Sequence, residues 1–379
     1  MDTKEGRPVK ILQRYYLGEY AKLFTIVAFG LSLVFSLMDL INKINDFIPH
    51  NPSMPDLLLY PLLNLPQYLL YLMPVAALMS GLFVFGQAGK RRETMAIKAA
   101  GGGIKALLMP FVYTGLLLSI AGFLIGEFAV PDLSKTARVL RDTITGKENL
   151  LSFKEGTVWL RKNNTIIRID LLLPGKGVLK GISIMKMEND MLAERIEAES
   201  AEWRPALVPA PSGSAAAQDA DGKGAWYLKN VTSYDIKTGM IVKSKELQTN
   251  VIDPPEVFRE NTQKPEEMNV RELSAYTKRL KNAGFRNTKL IVDIQSRISY
   301  PLINIIMLVL GVALATRGIV GGGLITAAVG IFISLLYWVT YTLCLSMGYT
   351  GIFPPIIAAW LVPALFGMLA FYLFRTIPE

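Results

Sequence analysis

The residues best suited to do work in this sequence form one short basic stretch, Gly86 to Gly101, that contains Arg91, Arg92, Glu93, Met95, Ile97 and Lys98. Met95, Ile97, Ala99 and Ala100 can dock against a partner, while Arg91, Arg92, Glu93 and Lys98 stay polar. Two readings of this stretch are open: a short helix that a soluble motor subunit grips, or a basic loop anchored at a membrane surface. Bond-making chemistry is poorly supplied. The chain holds one histidine, His50, in a Pro-rich loop, and one cysteine, Cys344. A disulfide framework, a zinc finger and a His-rich metal site are therefore excluded. A Ser-His-Asp or Cys-His pair would have to use His50. A phosphate loop needs G-x-x-x-x-G-K-[ST], but Gly89-Lys90 is followed by Arg91 and lacks the upstream glycine. Gly101–Gly103 and Gly321–Gly323 read as sharp turns or tight packing.

The elements around that stretch are membrane spans. The chain has 379 residues, 51% of them hydrophobic and 19% charged, with mean hydropathy +0.34. Ordinary soluble domains carry about 25% charge. The excess apolar residues fall in uncharged runs long enough to cross a bilayer, which takes about 20 residues. Six spans are expected: 23–40, 57–86 (with Pro61, Pro66 and Pro74), 104–127, 298–316, 324–345 and 355–374. The last two divide at Met347 to Pro355, where glycine and proline mark a turn. No cleavable signal peptide is expected, because the first apolar run begins only after Lys22 and lacks a small-residue cleavage site.

Net charge is +9. In a membrane protein that excess is a topology signal rather than a nucleic-acid groove. Lys4, Arg7, Lys10, Arg14 and Lys22 precede the first span, and Lys90, Arg91, Arg92, Lys98 and Lys105 lie between spans two and three. Arg317 and Arg375 fall on the same side, whereas the opposite short loops hold only Lys43. Both termini are thus expected in the cytoplasm and residues 131–289 outside.

The outer segment reads as β. Strand-like runs occur at 157–161, 165–169, 181–185, 192–198, 225–234 and 240–251. In the fourth, Leu192, Ile196 and Ala198 alternate with Ala193, Arg195, Glu197 and Glu199, the pattern of a half-buried strand. Turns are expected at Asn163-Asn164, Pro174-Gly175, Asn189-Asp190 and Thr238-Gly239, and a flexible loop over 205–224. The whole suggests a sandwich or jelly roll. Asn269 and Glu272 then form a capping-box start for a short amphipathic helix that Gly284 can end. The predicted organisation is a helical segment 1–130, a β domain 131–265 and a helical segment 266–379.

Particular motifs add a family resemblance. Leu65-Pro-Gln-Tyr68, Leu72-Met-Pro-Val-Ala-Ala-Leu78, Arg91-Arg-Glu93 and Ala99-Ala-Gly101 resemble the LptF/LptG family, the permease subunits of the lipopolysaccharide export ABC transporter. Gly126-to-Pro131, Tyr300-Pro-Leu302 and Gly351-to-Trp360 agree in order and spacing. The Leu-Pro-Gln version of span two is more similar to the LptG branch than to LptF. The resemblance implies six transmembrane helices around a periplasmic β-jelly roll, in the bacterial inner membrane. It implies a non-catalytic subunit without a cofactor of its own, ATP being bound by a partner. Implied partners are an LptB-like ATPase dimer, the other LptF/LptG permease and an LptC-like jelly-roll protein; nucleic acid is not among them. By this resemblance Glu93, with Arg91, Arg92, Met95 and Ile97, sits in the coupling helix, and spans one and five form lateral gates.

A lipopolysaccharide cavity should be apolar in the middle and basic near the outer leaflet. Phe29 and Leu33 supply the first property and Lys43 the second, by its match to a family lysine; snorkelling is the other reading of Lys43. Arg297 is a second cationic candidate, against a structural pairing with Asp293. Two other functions are compatible with six spans: an ion-coupled secondary transporter, and a membrane-tethered β scaffold. The first is short of midplane charges, and the second needs no basic handle.

Overall fold

The computed structural model describes residues 7–146, 151–154, 157–162, 164–173, 177–188, 191–204, 224–236, 239–249, 251–252, 255, 265–282, 287–317 and 323–377. Asn163, Pro174-Gly175, Asn189-Asp190, Thr238, most of the 205–224 loop, Gly284 and Gly321-Gly322 lie outside the described residues. The chain forms two compact units. One comprises Met1–Gly146, Asn269–Ser274 and Arg286–Glu379, the other Lys147–Met268 and Ala275–Phe285.

The first unit is helical: α1 Arg7–Phe47, α2 Met54–Lys90, α3 Glu93–Ala99, α4 Ile104–Leu124 and α5 Val130–Ile144, then α6 Val270–Asn282, which runs on into the second unit. After it come α7 Thr288–Ser299, α8 Ile303–Thr316, α9 Gly323–Tyr349 and α10 Pro355–Arg375. Six helical stretches among the described residues are long and apolar enough to cross a membrane: Ile11–His50, Met54–Lys90, Ile104–Ile144, Thr288–Thr316, Ile325–Tyr349 and Pro355–Arg375. Each contains one of the six expected spans, or all but its first residue. The turn expected between the last two is present, with Gly351 in the left-handed region at φ +82° and Pro355 opening α10.

The centre of this unit is the α2–α8 seam. A β-carbon built on Gly311 would lie 2.6 Å from the Leu78 carbonyl oxygen, and one on Gly81 would lie 3.3 Å from Val312 Cγ2. Small residues let the two backbones approach where no hydrophobic effect drives helices together in lipid. On α4, Gly115 presses the same way on Ile305, 2.9 Å from its Cα, and the Ser119 hydroxyl accepts the Ile305 N–H. The internal prolines of α2 are tolerated as membrane helices tolerate them; Ser36 of α1 donates to the Pro61 carbonyl at 2.5 Å.

The third span differs from the reading that ended it near Glu127. A π turn at Ile125–Ala129 carries the helix on into α5, and the first described strand opens only at Leu151. Val130, Leu133, Ala137, Leu140 and Ile144 repeat at heptad spacing between charged residues. Ala137 and Ile144 are buried with Phe47 and Tyr60. The onset of charge marks an amphipathic helix here, not the end of helical structure. Glu127, on the π turn, accepts the Val270 N–H at 2.9 Å. The expected capping box is present beside it: Asn269 Oδ1 accepts from Glu272 N at 2.7 Å, and Glu272 Oε2 accepts from Asn269 N at 3.2 Å. Lys135 adds an ion pair to Glu272 at 3.7 Å.

Among the described residues the second unit holds seven antiparallel strands paired in chain order: β1 Leu151–Lys154, β2 Thr157–Lys162, β3 Thr165–Leu173, β4 Val178–Glu188, β5 Met191–Arg204, β6 Ala225–Asp235 and β7 Ile241–Thr249. The six expected strands are there, β1 is additional, and among the described residues the sheet is open at both edges rather than a closed barrel. Its buried set steps by three instead of two at one row. Ile182 gives way to Leu179 on β4, Ala198 to Ala201 on β5, and Val231 to Leu228 on β6. Two residues of that row are left-handed, Gly181 at φ +64° and Asn230 at φ +53°. The strands turn a corner there, as strands do when one sheet makes two packed layers. Residues from both sides of the corner, Leu160, Ile167 and Ile184 with Trp226 and Leu228, join one apolar core. Gly181 is needed twice over, since a β-carbon would also fall 2.6 Å from Asp170 Oδ2.

Candidate functional site

The basic stretch forms a compact handle between two spans. Arg92 takes the left-handed conformation at φ +58°, which turns the chain from α2 into α3. Gly101 at φ +79° and Gly102 end α3 with N–H bonds to the Lys98 and Ile97 carbonyls, both 2.9 Å, a Schellman cap. A side chain on Gly102 would meet Ile97 Cγ2 at 2.8 Å. Between these stops α3 shows one exposed face: Arg92, Met95, Ala96 and Ala99, with Arg91 beside it; Met95 is 68% exposed. Glu93 and Ile97 are turned partly inward. Glu93 also stands in the first helical turn, where a carboxylate complements the helix dipole.

Glu93 has a partner that sequence reasoning missed. The Tyr16 hydroxyl, 77 residues away on α1, donates to Glu93 Oε2 at 2.6 Å. Arg91 Nη1 lies 3.8 Å from the other oxygen. The Tyr16 ring stacks on Phe85 with centroids 5.4 Å apart. Phe85 meets Phe111 edge-on at 4.9 Å, and Phe111 meets Tyr20 at 5.6 Å. The signal that could have found Tyr16 is the stripe Tyr16, Tyr20, Phe24 at one-turn spacing in an otherwise basic segment.

The lipid-facing candidates divide. Phe29 and Leu33 are about half exposed, on a face of α1 shared with Ile26, Leu37 and Ile41. The opposite stripe, Ala28, Ser32 and Ser36, is buried. Lys43 is turned toward α2 instead. Its ammonium donates to Asp39 Oδ2 at 2.8 Å and to the Tyr60 hydroxyl at 2.6 Å, and it lies 5.2 Å from the centroid of the Tyr60 ring. Tyr60 in turn donates to Asp39 at 3.3 Å. Lys43 is therefore a member of a closed polar triad, and an anionic ligand would compete with Asp39 for it. Arg297 belongs to another neighbourhood, on α7, which packs on α9 and α10. Asp293, one turn before it, accepts the Tyr349 hydroxyl at 2.8 Å.

Helix α9 also leaves an apolar face open, with Ile331, Phe332, Leu335, Trp338 and Leu343 exposed. Both α1 and α9 rest on α2. Exposed apolar area on this scale marks lipid or another protein.

Residues 14–376 match the family model described as lipopolysaccharide export system permease LptF/LptG. The chain belongs to the LptF/LptG family. It is 24% identical over 379 residues to the lipopolysaccharide export system permease protein LptG of Escherichia coli (strain K12), covering 97% of this chain and 98% of that one. The same figures hold for LptG of Escherichia coli O6:H1. This LptF/LptG permease is accordingly a multi-pass protein of the bacterial inner membrane and a non-catalytic subunit of lipopolysaccharide export.

Proposed function

We propose that this permease takes lipopolysaccharide from the inner membrane under the drive of an LptB-like ATPase dimer gripped at α3. The observation that carries this is the geometry of the handle. A seven-residue helix, fixed at both ends by left-handed residues, presents Met95 and small residues outward, with a carboxylate at its root. Small outward residues let a groove close tightly on the helix, and a carboxylate in such a groove makes strong, oriented bonds to basic partners. The positive charges support a cytoplasmic side for α3 and both termini, and with it a periplasmic β unit. The open faces of α1 and α9 then fit the other LptF/LptG permease across a lipid cavity that Phe29 and Leu33 line. The β unit passes the lipid toward an LptC-like jelly-roll protein. Lys43 and Arg297 are the cationic groups for the lipid's phosphates, Lys43 only after exchange with Asp39.

The test is purification of the Glu93→Ala variant in mild detergent from its native membrane. Loss of a central charged anchor is worth about 2 kcal/mol or more, so the ATPase recovered per permease should fall about tenfold or further. Recovery equal to wild type would remove Glu93 from the docking face.

A further inference from the structure

We propose that Tyr16 is a positioning residue that joins the first span to the coupling helix, so that displacement of α3 tilts the whole of α1. This deepens the coupling reading above and rests on it.

Three observations converge. The Tyr16–Glu93 bond is a short hydroxyl-to-carboxylate contact, the kind strengthened by charge. Tyr16 itself is 3% exposed, its ring held between Phe85 and Tyr15, so the hydroxyl has little freedom to leave. Helix α1 is unbroken from Arg7 to Phe47. At 1.5 Å per residue, Tyr16 and Lys43 are the ends of a rod about 40 Å long. Between Phe24 and Leu40 the buried residues of α1 are the narrow stripe Ala28, Ser32 and Ser36, and the far end is seated again by Phe47 against Tyr60, Ala137 and Ile144. A rod clamped at one end by aromatic packing and a strong hydrogen bond, and seated lightly through its middle, follows its clamp and pivots about the seat at Phe47.

The carboxylate also keeps capacity to spare. Tyr16 uses one oxygen of Glu93, and the second lies 3.8 Å from the exposed Arg91. Glu93 can therefore engage a basic groove while still held by Tyr16. Docking and transmission use different atoms of one side chain, which is what makes them separable.

Two variants separate them. Tyr16→Phe keeps the ring and its stack on Phe85 but deletes the donor. Glu93→Gln keeps an acceptor for Tyr16 but removes the charge. Each is placed in the complete complex, purified and reconstituted in liposomes containing lipopolysaccharide, and two quantities are read. One is ATPase recovered per permease; the other is ATP hydrolysed per lipid extracted by assembled complexes, a ratio that poor folding does not alter. Tyr16→Phe should retain the ATPase and raise ATP per lipid about tenfold, as expected for losing a hydrogen bond to a charged group. Glu93→Gln should lose ATPase, while complexes that remain assembled show a ratio raised less than in Tyr16→Phe, because the amide still accepts from Tyr16 but without the charge. A wild-type ratio in Tyr16→Phe overturns the joint while leaving the handle intact. Loss of the ATPase from Tyr16→Phe also overturns it, reducing Tyr16 to part of the docking face. Full ATPase recovery in both Glu93→Gln and Glu93→Ala overturns the handle itself, and the joint with it.

Discussion

Helices α8 and α1 both lie against α2, and they do so in opposite styles. The α2–α8 seam is built on glycine: Gly311 sits where any side chain would strike the Leu78 carbonyl, and Gly81 answers it against Val312. The α1–α2 seam is aromatic at its two ends, Tyr16 on Phe85 and Phe47 on Tyr60, and serine-lined between, with Ser36 bonded to the Pro61 carbonyl, and most of α1 stays uncovered. The first arrangement has one geometry that fits. The second grips a helix at its ends, holds its middle by a few polar contacts and leaves an apolar face for something else. A permease needs both a frame that does not yield and a wall that does, and here they are two sides of one proline-containing helix.

The contrast can be broken from its stiff side first. Gly311→Leu should cost more than about 3 kcal/mol, beyond the usual overpacking penalty, because the obstacle is backbone. Thermal unfolding in detergent should show a large drop in midpoint, or no folded protein. A fall of only a degree or two would mean that the seam is as compliant as the other. Next in size is Ser36→Ala, which leaves a carbonyl short of one donor; it should cost about 1 kcal/mol by the same measurement and loosen α1 without unfolding the unit. The smallest effect on stability belongs to Leu33→Ser on the open face, within about 0.5 kcal/mol. A photocrosslinker at that position should nevertheless capture lipopolysaccharide or the second permease in membranes. Failure to capture either would mean that the face is ordinary lipid-exposed surface.

What the sequence made legible was set by local rules. Span number followed from uncharged run length, and the capping box at Asn269 and Glu272 followed from spacing alone. Strand alternation placed six of the seven strands. The four-residue β1 was missed because so short a run shows no periodicity. Helix α5 is obscured in the sequence because the onset of charge after Glu127 reads as the end of a span, although its apolar heptad is legible. The polar partners were harder. Asp39 and Lys43 are one helical turn apart and could have been paired on paper; Tyr60, which completes the triad, comes from another helix. The bond from Tyr16 to Glu93 is non-local, and no spacing rule reaches across two helices. The sheet's corner was hidden too, since Asn230 reads as any polar residue until its backbone is seen to be left-handed.

The clamp at Glu127 also has a history in time. Its partner, the Val270 N–H, lies 143 residues further along the chain. Ribosomes add roughly 5–20 residues per second, so the acid waits about 7 to 30 seconds before its mate exists. In that interval the whole β segment is synthesised. Closure of the clamp is thus a late event in biogenesis, and it certifies that the intervening domain has been made and that the chain has come back to the place it left.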